Sequence, residues 1–101
     1  MDYQKDFIKL KFLINKVFGV EDINLETEIN KLNTLSEDND RFLELFQSEF
    51  NINMKSFSYY QYFKEDNFII YSLITMLFPT NKKSLTVRHL LKVIEKGEWF
   101  D

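Results

Sequence analysis

Leu32-Asn-Thr-Leu-Ser36-Glu-Asp-Asn-Asp-Arg-Phe-Leu-Glu-Leu-Phe-Gln-Ser-Glu-Phe50 is the stretch that decides how this chain folds. Phe42, Leu45, Phe46 and the Glu49/Phe50 step recur at spacings of three and four, so they line one side of a helix. Glu44, Gln47 and Ser48 fall on the other side. Glu37, Asp38 and Asp40 crowd the helix start, where the positive end of the helix dipole favours carboxylates. Ser36 heads the segment. Its hydroxyl is placed to cap the helix by accepting from a backbone N–H two or three residues on, a contribution of about 1 kcal/mol. A serine at that point is also a chemically suitable attachment site for a covalently carried prosthetic arm. Asn51-Ile-Asn53 closes the helix.

Upstream, Phe7, Leu10, Ile14, Val17 and Phe18 predict an amphipathic helix over Asp6 to Phe18, with Lys5, Lys9, Lys11 and Lys16 mostly off the apolar stripe. Gly19 follows where a left-handed cap falls. From Val20 to Leu35 the apolar residues are too irregular for one long helix. An ordered connector is expected there, with a short turn at Glu26 to Lys31, held to the core by Ile23, Leu25, Ile29, Leu32 and Leu35.

Downstream, Phe57-Ser-Tyr-Tyr-Gln-Tyr-Phe63 is an aromatic cluster suited to core packing, since rings carry large buried area and tyrosine keeps a wet end. Phe68 to Phe78 is expected to be a short buried helix ended by Pro79 and the polar run to Ser84. The last helix is the clearest. Thr86 is its predicted N-cap, Val87, Leu90, Leu91 and Ile94 its apolar stripe, and Gly97 its stop. Trp99 and Phe100 are expected to fold back as a hydrophobic plug.

The totals agree with a single all-α domain over residues 1–101. At that length a chain buries roughly two-thirds of its unfolded surface, enough for a core without disulfides or a structural metal. The sequence is 45% hydrophobic with eleven Phe, but holds only two Gly and one Pro, which leaves little hairpin punctuation. With no Cys, disulfides and thiolate chemistry are excluded. With one His, the usual zinc ligand sets cannot be assembled. The start, Met1-Asp-Tyr-Gln-Lys-Asp, lacks the layout of a secretory signal. The Phe68–Phe78 run is far short of the ~20 residues that span a bilayer. A cytoplasmic protein without membrane contact is expected.

Net charge is −3, unevenly spread. Residues 21–49 hold Glu21, Asp22, Glu26, Glu28, Glu37, Asp38, Asp40, Glu44 and Glu49 against Lys31 and Arg41 alone. Such a region repels nucleic acid phosphates and attracts basic protein surfaces. The basic residues Lys82, Lys83, Arg88 and Lys92 lack interleaved aromatics on an exposed sheet, so nucleic acid is not an expected partner. Glu37 and Asp38 come without the spacing or glycine turn of a calcium loop. His89, just outside the last stripe, has no nucleophile or orienting partner that would make it a catalytic base. A pocket for an apolar ligand among the rings of Phe57–Phe63 and Phe68–Phe78 is a further option.

The order of elements resembles the acyl carrier protein fold: a long connector after the first helix, a serine-headed acidic second helix, and a Leu85-Thr86-Val87 lead into the last. Leu32, Ser36, Phe42/Phe46/Phe50, Ile52, Leu90 and Leu91 carry that likeness. A closer resemblance is to the acyl-carrier-like bacterial family called domain of unknown function 1493. It rests on Phe50-Asn-Ile-Asn, Phe57, the Tyr62-Phe63 pair, Leu85-Thr86-Val87 and the ending Glu95-Lys-Gly97-Glu-Trp99. The resemblance implies a carrier-type helical bundle, with an extra short aromatic helical segment before the last helix. In carriers the serine of Asp-Ser-Leu receives 4′-phosphopantetheine. Here the register is Leu35-Ser36-Glu37: the hydroxyl is kept, but an apolar residue precedes it and an acid replaces the leucine that anchors partner enzymes.

The expected protein is therefore a monomeric, non-catalytic interaction module without a cofactor. Its acidic second helix, through Glu37, Asp38, Asp40 and Glu44, docks a protein partner bearing a basic patch. The alternative is an acyl carrier with the phosphopantetheine arm on Ser36.

Overall fold

The computed structural model describes residues 3–32, 36–63 and 83–101, with the side chain of Ser36 excepted. The predicted helix over Phe68–Phe78, the stop at Pro79, and the positions of Leu35 and Lys82 lie outside these residues. Among the described residues the structure is helical: α1 spans Tyr3–Phe18, a 3-10 turn Ile29–Lys31, α2 Ser36–Phe50, α3 Tyr59–Tyr62 and α4 Val87–Lys96. None of these helices is long and apolar enough to cross a membrane.

The first helix starts at Tyr3 rather than at the predicted Asp6. The apolar stripe marks only where α1 meets the core, whereas its first turn extends past that contact, with Tyr3 on Phe7 at 6.4 Å between ring centroids. Leu10, Leu13, Ile14 and Val17 form its buried side. Gly19 ends it at φ 72, its N–H donating to the Asn15 carbonyl at 2.8 Å.

The second helix ends on an asparagine. Asn51 sits in the left-handed region at φ 54, and the Ile52 N–H reaches back to the Gln47 carbonyl at 3.0 Å. This six-to-one bond defines a Schellman stop, and Ile52 carries the apolar contact that accompanies it by joining Phe46 in the core. Phe42 and Phe46 are fully buried, stacked with centroids 5.9 Å apart, and Phe18 of α1 lies 5.3 Å from Phe42. Leu45 and Phe50 are only half-buried, and Glu49 turns outward to Lys9.

The last helix is sewn in at both ends, each time by the connector that leaves an earlier helix. At its start, the connector from α1 pairs with the lead into α4. The Ile29 N–H donates to Leu85 O at 2.8 Å, Val87 N–H to Thr27 O at 3.0 Å, and Arg88 N–H to Leu25 O at 2.9 Å. The hydroxyl of Thr86 caps the helix by accepting from the His89 N–H at 3.1 Å. Three of the amides that a helix start leaves unpaired are thus satisfied by protein. Leu85 and Val87, with no exposed surface, flank this cap in the core. At its end, the segment after α2 pairs with the tail: Asn53 N–H donates to Gly97 O at 3.1 Å and Trp99 N–H to Asn53 O at 2.8 Å. Ser56 adds a hydroxyl bond to Trp99 O at 2.8 Å. Gly97, at φ 81, turns the chain into this seam.

Asn30, in the 3-10 turn, ties a third point. Its amide nitrogen donates to the Tyr62 carbonyl at 2.9 Å and to the Lys83 carbonyl, while its oxygen accepts from the Leu85 N–H at 3.0 Å. The Lys83 N–H donates to Gln61 O at 2.8 Å, so residues 61–63 and 83–85 lie side by side.

Trp99 is the plug expected from sequence, 3% exposed. Its ring stands edge-on to Phe57 at 4.7 Å and Tyr62 at 5.4 Å, and meets His89 at 5.2 Å. It packs among the rings of one side of the apolar pocket expected from sequence, whose other side, Phe68–Phe78, lies outside the described residues. Phe100, by contrast, is half-buried, its ring tilted against His89 with centroids 4.8 Å apart.

Candidate functional site

The helix start that carries Glu37, Asp38, Asp40 and Glu44 is where the chain's acidity becomes a surface. Successive residues of a helix point about 100° apart. On α2 that rotation puts Phe42, Phe46 and the buried Asn39 against the core. Opposite them lies a stripe formed by Glu37, Asp40, Arg41, Glu44, Gln47 and Ser48, all exposed. Three of the four predicted docking acids therefore share one outward face. Asp38 does not: it sits on the flank of the helix and is half-buried. The spacing of apolar residues was enough to separate inside from outside, but Asp38 lies at the boundary, where periodicity is weakest as a guide.

The acids of this face, like Asp6, Glu21, Asp22 and Glu95, enter no ion pair among the described residues. Among the described residues, ion pairs join Lys9 to Glu49 at 3.6 Å, Lys31 to Glu28 at 3.5 Å, Arg88 to Glu26, and Lys96 to Glu98 at 3.7 Å. None of them involves Glu37, Asp40 or Glu44. Arg41, within the same stripe, is the one base α2 carries. Ser36 is the first residue of α2.

A second polar cluster was not legible in the sequence. The Asp101 carboxylate accepts from the Tyr62 hydroxyl at 2.7 Å and from the Trp99 indole N–H at 3.2 Å. The Tyr62 bond, followed by that of Trp99, holds Asp101 below the ordinary aspartate range. Burial, followed by the bond to Asp101, holds the Tyr62 phenol above its ordinary range. His89 closes the cluster with its Nε2–H donating to the Phe100 carbonyl at 2.8 Å. Every one of these bonds fastens the tail, and Nε2 of the half-buried histidine is committed to it.

The sign of the pH effect follows. A carboxylate with a depressed folded pKa contributes stability above its unfolded value, and this is lost as pH falls through the folded value. Replacing Tyr62 by Phe removes the first cause of the depression. The Asp101 midpoint should then rise toward the ordinary value of about 3.9, measured by carboxyl carbon chemical shifts across an acid titration. An unmoved midpoint would show that the Tyr62 bond does not form in solution.

Lys83, Arg88 and Lys92 line an open groove of about 310 Å³ with Tyr62, Ser84, Thr86, His89 and Asp101. The hydroxyl of Ser84 donates to Glu28 at 2.6 Å, which is the main reason Glu28 titrates below its usual range. Arg88 is committed to Glu26, which raises its pKa. The first amides of α4 are already bonded to Thr27, Leu25 and Thr86, so this groove has no free helix terminus to offer an anion. Among the described residues no group of three or more histidines and carboxylates is placed to hold a metal ion.

No curated protein and no solved structure matches the chain. A family model does, that of the protein of unknown function DUF1493, over residues 4–101. The match runs from α1 through the tail, and so takes in both seams, where Asn53 meets Gly97 and Trp99 and the α1 connector meets Leu85-Thr86-Val87. By that span the chain is a member of the DUF1493 family.

Proposed function

We propose that the protein is a non-catalytic, cytoplasmic interaction module of acyl-carrier-like fold, docking a basic patch on a protein partner through the outer face of α2. The observation that carries this reading is the exposed stripe of Glu37, Asp40 and Glu44, engaged in no ion pair among the described residues. Acids on one rigid helix face give a partner's lysines and arginines a fixed array to meet, which raises association rate and fixes orientation. The half-buried Asp38 contributes from the edge of that face.

The test starts from a partner captured from an extract of the native cell and then purified. The triple variant Glu37→Lys/Asp40→Lys/Glu44→Lys should weaken binding by about tenfold or more, and added salt should weaken the wild-type complex. Asp38→Lys should cost less than Glu44→Lys. An affinity indifferent to both charge reversal and salt would remove the proposal.

A second reading makes the protein an acyl carrier with 4′-phosphopantetheine on Ser36. It is favoured by the position of Ser36 as the first residue of α2, since the positive end of a helix suits a phosphate-linked group. Intact mass after co-expression with a promiscuous phosphopantetheinyl transferase decides it. No mass gain, or a gain that persists in Ser36→Ala, rejects the arm.

A further inference from the structure

We draw no further inference here: the strongest candidate, the surface patch on the outer side of α1 where Ile8 and Phe12 stand 66% and 69% exposed, has Lys9 paired with Glu49 at its rim, and nothing in the structure shows what covers it.

Discussion

Trp99→Ala is expected to lower the free energy of unfolding by about 3–5 kcal/mol, the usual cost of emptying a large aromatic site in a core. The side chain is 3% exposed and touches rings from three separate segments, Phe57, Tyr62 and His89. Its loss leaves a cavity that those rings cannot close, because each is held by its own backbone. It also removes one of the two donors to Asp101. The backbone bonds of Trp99 to Asn53 and Ser56 do not need the indole, so the seam should survive with a looser tail. Urea unfolding followed by circular dichroism measures the effect. In the wild type the same transition can be followed by fluorescence, since Trp99 is the only tryptophan in the chain. A loss under about 1 kcal/mol would mean that the tail is not docked in solution.

Phe42→Ala is expected to cost a similar ~3–5 kcal/mol for a different reason. Phe42 has no exposed surface and bridges α1 to α2, lying between Phe18 and Phe46. Its removal loosens α1 from α2, the helix that carries the proposed docking face. Domains of this size have only about 5–15 kcal/mol in total, so either substitution consumes a large part of the stability. The two should differ in one readout: Phe42→Ala leaves the Trp99 environment native below the transition, so its folded-state emission should match that of the wild type. An emission shift in folded Phe42→Ala would show that the α1–α2 contact and the tail seam are coupled through the core.

How much of this was legible beforehand differs by element. In α4 the cap Thr86, the stripe and the stop Gly97 are all written in residue types whose local physics points one way, and the structure places each there. Val93, also fully buried, lies off that stripe, so periodicity alone did not mark it. The turn within Glu26–Lys31 appears as the 3-10 segment Ile29–Lys31. In α1 the end was marked by glycine, but the start was misplaced by three residues, since the apolar stripe begins only at Phe7. The acidic face of α2 followed from periodicity, apart from Asp38 at its edge.

Sequence by itself determined the helical class, the inward stripes, the C-terminal stops of α1 and α4 and the sign of charge on α2, because these depend on neighbours three or four residues away. Only the tertiary structure decided what holds the helices together. The Asn30 clamp joins residues more than thirty positions apart, Asn53 pairs with Gly97 and Trp99, and Asp101 meets Tyr62. Hydrogen bonds of that kind depend on where two distant backbones come to rest, which no local periodicity encodes. The exposed pair Ile8 and Phe12 belongs with them: its exposure is set by which helices pack on α1 and which side they leave bare.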